Sequence, residues 1–84
     1  MAIIISVKTN IYDASFDVEV PDDVAVSKVT KDLVECMMSL FNITINVEDV
    51  VLSCERLDVI LDPSATLAEQ GVWNGDYLEL TYYG

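Results

Sequence analysis

The chain has 84 residues, which is enough for one domain, residues 1–84. A domain so small buries only about 60–65% of its unfolded surface, so its apolar half must be well used. Fifteen acids against four bases, with no histidine, leave a formal net charge of −11, which argues against phosphate backbones and anionic lipid as partners and favours a protein with a basic or apolar face.

The opening run, MAIIISVKT, is too short for a membrane span or a signal peptide, and no basic residue precedes it. No later stretch is longer, so a cytoplasmic location without membrane insertion is expected. Ile3–Thr9 reads as a strand with Ile3, Ile5 and Val7 on one face and Ala2, Ile4, Ser6 and Lys8 on the other. Asn10–Ala14 is a turn. Ser15–Val20 alternates cleanly, Phe16, Val18 and Val20 inward, and completes a hairpin. Pro21 is expected to break the ladder. Asp22 and Asp23 suit a helix N-terminus, with Asp23 as the cap. Val26, Val29, Leu33, Met37 and Leu40 recur at three and four residues and predict a helix from about 25 to 40 with that face buried. Lys28–Asp32 and Lys31–Glu35 have the spacing of ion pairs along its wet side.

Phe41–Asp49 is less regular, with Ile43, Ile45 and Val47 alternating as in an extended segment. Val50–Glu55 is a third strand, with Val50, Leu52 and Cys54 on one face. A turn at Arg56–Asp58 leads to a short strand, Val59–Leu61. Asp62-Pro63-Ser64 is a turn. Thr66 can cap one helical turn that Gly71 ends, and Tyr77–Tyr82 is the last strand, with Leu78 and Leu80 inward. The order is β-β-α-β-β-short helix-β, an α+β layout: a mixed sheet of four or five strands on one long helix. The first and last strands are expected to pair in parallel at its centre.

The run Leu61–Leu80, LDPSATLAEQGVWNGDYLEL, resembles the closing segment of the ubiquitin-like β-grasp superfamily. Leu61, Thr66, Leu67, Val72, Leu78 and Leu80 fall at its core and turn positions, and Ile5, Val7, Val18 and Val20 at those of its hairpin. Within the superfamily the phrase most resembles the YukD-like group. Those are small bacterial proteins encoded with type VII secretion systems, and similar domains are fused to a membrane component of those machines. The resemblance implies a cytoplasmic, non-catalytic accessory protein working through protein–protein contacts. The segment from about Met38 to Asp49 is longer than in ubiquitin.

The two glycines of this run read as structural. Gly71 ends a helical turn, and Asn74-Gly75 is a dipeptide that tolerates positive φ. G-V-W-N-G has neither the P-loop lysine nor the dinucleotide-binding spacing. Without histidine the commonest general base is missing. Cys36 and Cys54 are too few for a zinc site and read as reduced, small hydrophobic residues. Asp22-Asp23 and Glu48-Asp49 lack the alternating oxygen ligands of a calcium loop. No catalytic residue, cofactor or metal is expected.

An alternative function is implied by the same resemblance. Ubiquitin and the sulfur carriers are activated at a C-terminal Gly-Gly; here Tyr83 precedes a single Gly84, and the bulky ring disfavours that use. The positions that correspond to ubiquitin's apolar recognition patch are Ser53 (or Val51), Glu79 and Thr81, which are polar or acidic. Trp73 stands out instead. With Tyr77, Tyr82 and Tyr83 it is expected to form an aromatic interaction patch beside the last strand, aromatics being favoured as interface anchors. Tyr12, at the tip of the first hairpin, is a separate interaction candidate. Met37-Met38 reads as core filling. A third role, a non-catalytic subunit of a multi-component enzyme, is also open to this fold class.

Overall fold

The structure is a computed structural model and describes residues 1–84. The elements are β1 (Ala2–Thr9), β2 (Ala14–Pro21), α1 (Val26–Phe41), a 3-10 turn (Val47–Asp49), β3 (Val50–Cys54), β4 (Val59–Ile60) and β5 (Tyr77–Tyr82). They form one sheet in the order β2-β1-β5-β3-β4. β1 pairs antiparallel with β2 from Ala2↔Pro21 to Thr9↔Ala14 and parallel with β5 from Ser6↔Tyr77 to Thr9↔Leu80. β3 is antiparallel to β5 and to β4. The expected parallel pairing of first and last strands thus lies at the centre.

The period-two alternation of the strands and the helical period of α1 meet in one core. Ile3, Ile5, Val7, Val20, Leu52, Cys54, Leu78 and Leu80 project from the sheet onto Val26, Val29, Leu33, Val34 and Met37 of the helix. Leu61, Leu67 and Val72 close its lower end from the long β4–β5 connection. Met38 packs on the margin of this cluster, so the two methionines do fill core space.

Three local expectations are corrected. Pro21 does not break the ladder: it is the last residue of β2, opposite Ala2. β2 is the outermost strand, where a missing N–H is tolerated. Asp23 does not cap α1. The N-cap is Ala25, with no side-chain bond; the Val26 and Ser27 amides donate instead to the carbonyls of Ala65 and Pro63, each at 2.9 Å. Asp22 and Asp23 face the N-terminal ammonium, at 2.9 and 3.6 Å. Leu40 does not point inward but is 72% exposed. By phase it belongs to the face that buries Val29 and Leu33, but it sits in the last turn of α1, beyond the cover of the sheet, where Phe41 packs on the margin of the core instead. Asn42, at φ 53, ends the helix in the left-handed region and returns its amide to Met38.

Of the two spaced ion pairs on α1, Lys28–Asp32 forms at 2.9 Å; Lys31 makes none. The Phe41–Asp49 segment, expected to be extended, ends in the 3-10 turn, whose cap is the Asn46 side chain. Thr66 caps its turn as expected: the Glu69 amide donates to Thr66 Oγ1 at 3.0 Å and the Thr66 amide donates to Glu69 Oε1 at 2.9 Å. That reciprocal pair is a capping box. It also holds the Glu69 carboxyl below its ordinary pKa, because the Thr66 amide bonds to the charged form.

Candidate functional site

Gly71 and Gly75 both have positive φ, 80 and 89. Between them the chain makes a tight turn from Trp73 to Asp76, with the Asp76 amide donating to the Trp73 carbonyl at 3.1 Å. The turn is docked on β1. The Gly75 amide donates to the Ile4 carbonyl at 2.7 Å, and the Ile4 amide donates to Asn74 Oδ1 at 2.8 Å. This docking sets the register in which β5 enters the sheet.

Arg56 locks the arrangement from the β3–β4 turn. Its Nε donates to Asp76 Oδ1 at 2.8 Å, and its Nη2 donates to Asp76 Oδ2 at 2.9 Å and to the Gly71 carbonyl at 2.6 Å. The Trp73 amide donates to Asp76 Oδ2 at 2.7 Å. Asp76 is buried, and its charge is met on both oxygens, as a bidentate pair requires. The Arg56 hydrogen bonds hold the Asp76 carboxyl below the usual carboxylate range, against the opposing effect of burial, with help from the Trp73 amide. The guanidinium carbon lies 3.7 Å from the centroid of the Trp73 ring, within cation–π range. One face of the indole is therefore fixed on Arg56, while the residue as a whole remains 63% exposed.

The four aromatics expected beside the last strand, Trp73, Tyr77, Tyr82 and Tyr83, do not form one patch. Tyr77 opens β5 at the Trp73 end, exposed on the helix-free face of the sheet. Tyr82 lies five residues on, about 16 Å along the strand, and its side chain turns to the other face and packs against the core. Tyr83 is exposed beyond it, its amide donating to the Asp49 carbonyl at 2.8 Å. Gly84 lies against the Tyr82 ring. Tyr12 stacks on Phe41 with ring centroids 4.2 Å apart. An alternating strand sends residues five apart to opposite faces, which is why sequence proximity was misleading here.

At the other expected positions the helix-free face is polar apart from Val51. Ser53 sits opposite Glu79, Val51 opposite Thr81, and Lys8 flanks Glu79 from β1. Cys54 is buried, as a small hydrophobic residue would be, but Cys36 is exposed; both are free. The residue that sequence reasoning missed is Arg56. Its signals were there: it is the sole arginine in an acidic chain, and Asp76 follows a turn glycine.

A mixed five-stranded sheet with a helix across one face, and the last strand between the first and third, is the ubiquitin-like β-grasp. Solved structures agree. The chain is similar to the ubiquitin of Caldiarchaeum subterraneum, at 16% identity and TM-score 0.76, over 100% of this chain and 96% of that one. It is similar to the UBL domain of Plasmodium falciparum Dsk2, at 24% identity and TM-score 0.76, over 98% and 99%. A chain of the toluene 4-monooxygenase HD complex with the inhibitor 4-bromobenzoate reaches TM-score 0.79 at 12% identity, over 98% and 99%; at such identities the likeness is one of fold alone. No curated protein matches the sequence at a significant level. The family is decided by sequence: residues 2–80 match the model described as YukD, WXG100 protein secretion system (Wss). The chain belongs to the YukD family.

Proposed function

We propose that residues 1–84 act as one ubiquitin-like module, a non-catalytic, cytoplasmic accessory component of the WXG100 (type VII) secretion system that works by holding a protein partner. The observation that carries this reading is the Trp73 clasp. A large indole stands exposed on a turn that three Arg56 hydrogen bonds and two glycines make rigid. A ring with one face already ordered loses little entropy on binding, which suits an anchor. Tyr77 extends the surface at the same end. The net charge of −11 favours a partner with basic residues around an apolar recess.

Trp73→Ala tests the reading in a strain that carries the secretion system. Fold and melting temperature should change little, since the exposed stacking on Arg56 contributes on the order of 0.5–1 kcal/mol. Export of WXG100 proteins and capture of the system's own components should both fall sharply. Wild-type export together with wild-type capture would remove Trp73 from the function. The alternative, a modifier activated at Gly84, requires release of the Tyr83–Asp49 hydrogen bond before the tail can extend. It has a separate readout, a mass adduct on the Gly84 carboxylate.

A further inference from the structure

One long margin of the sheet is raw. β2 is the outermost strand, eight residues long, and β1 is its one strand partner. The opposite margin, β4, has two residues. An open strand of this length offers a row of backbone donors and acceptors to any extended segment that comes alongside. Edges are commonly blunted by lysine or proline; β2 has no lysine, and its one proline is at its last position.

Beside this edge lies a furrow of about 460 Å³ between β2 and α1, lined mostly by apolar side chains, among them Phe16, Val18, Leu33, Met37 and Leu40. Leu40 stands at its lip, the helical residue that left the core. Phe41, stacked on Tyr12, forms one end. Its charged border is acidic: Asp32 lines it from α1 beside its partner Lys28, Asp17 and Glu19 border it along β2 with their side chains on the helix-free face, and no lysine or arginine lines it.

We propose that the β2 edge is a strand-docking site for an extended segment in which apolar residues alternate with lysine or arginine. The pleat dictates the alternation. On an added strand, the residues turned towards α1 drop into the furrow against Phe16, Val18 and Leu40. Those between them emerge on the helix-free face beside Asp17 and Glu19, where opposite charges on adjacent strands attract. Charge also selects the occupant. A second copy of this chain would bring another −11 and set acids against acids, whereas a basic segment is drawn in by the same field. The docking site shares no residue with the Trp73 surface and does not depend on the secretion role.

The experiment uses the purified, ¹⁵N-labelled chain and two synthetic peptides about eight residues long. One alternates valine with lysine; the other carries the same residues in two blocks. The alternating peptide should shift the amide resonances of β2 and the C-terminal half of α1, slow exchange of β2 amides, and saturate. The block peptide should bind at least about tenfold more weakly. Leu40→Ser, at an exposed position, should weaken the alternating peptide by about tenfold, the loss of one leucine's burial. Asp17→Lys with Glu19→Lys should abolish that binding and transfer it to an alternating valine–glutamate peptide. If the charge reversal disturbs the fold, Leu40→Ser and the block peptide decide alone. Equal affinity for both peptide orders, shifts centred on Glu79, no shifts at all, or dimers formed through β2 without peptide would each overturn the proposal.

Discussion

Asp76 is a buried carboxylate whose every bond is charge-assisted or to a turn amide. Its folded pKa lies below the unfolded value of about 4. A group so shifted contributes stability that is fully present above the unfolded value and is lost as pH falls through the folded one. Asp76→Asn cannot titrate. The variant should therefore be less stable than the parent at neutral pH, and the gap should narrow as pH falls below about 4. Urea midpoints measured at neutral pH and near pH 3 would check this; a gap of constant size would mean that folding does not lower the carboxyl's pKa. Gly75 makes a different demand. Nothing lies within 4 Å of where its Cβ would stand, so any penalty in Gly75→Ala comes from φ alone, on the order of 1 kcal/mol. An unchanged melting temperature would show that the turn relaxes without strain.

Among the elements, α1 has an unusual beginning. Its first amides are served by the Pro63–Ala65 loop, forty residues downstream, and the Lys28 amide by the Ala25 carbonyl at 2.9 Å. A side-chain cap at position 25 would find no orphan donor. Ala25→Ser should thus change stability by less than about 0.5 kcal/mol, against the roughly 1 kcal/mol that an N-cap serine ordinarily contributes; a full gain on thermal unfolding would show that the loop contacts are weak. The same example marks what was legible in the sequence. Strands and helix were readable because Ile3-Ile5-Val7 and Val26-Val29-Leu33-Met37 carry periods that only one local structure satisfies. Asp23 failed as a cap because capping competes with tertiary donors and acceptors that no local window contains. Leu40 failed because helical spacing does not say where the neighbouring sheet stops. The Arg56–Asp76 clasp spans twenty residues and exists only once β3 and β5 are paired. Trp73 and Tyr77 could be nominated from residue type, whereas Tyr82 needed the strand's phase.

At the scale of the whole molecule, charge is the dominant asymmetry. Of the four basic side chains only Lys28 and Arg56 make ion pairs, so salt has few attractions to weaken and many repulsions to screen. The melting temperature should rise as sodium chloride goes from about 0.05 to about 1 M, a range over which the Debye length falls several-fold; a fall would mean that specific pairs outweigh the self-repulsion of the excess acids.

The seat of β5 between β1 and β3 has a consequence for synthesis. A ribosome that has delivered residues 1–76 has delivered a hairpin, a helix and a second strand pair, with the slot between them vacant. β1 and β3 each keep an open edge until β5 is made, so the sheet closes only once residues 77–82 are present.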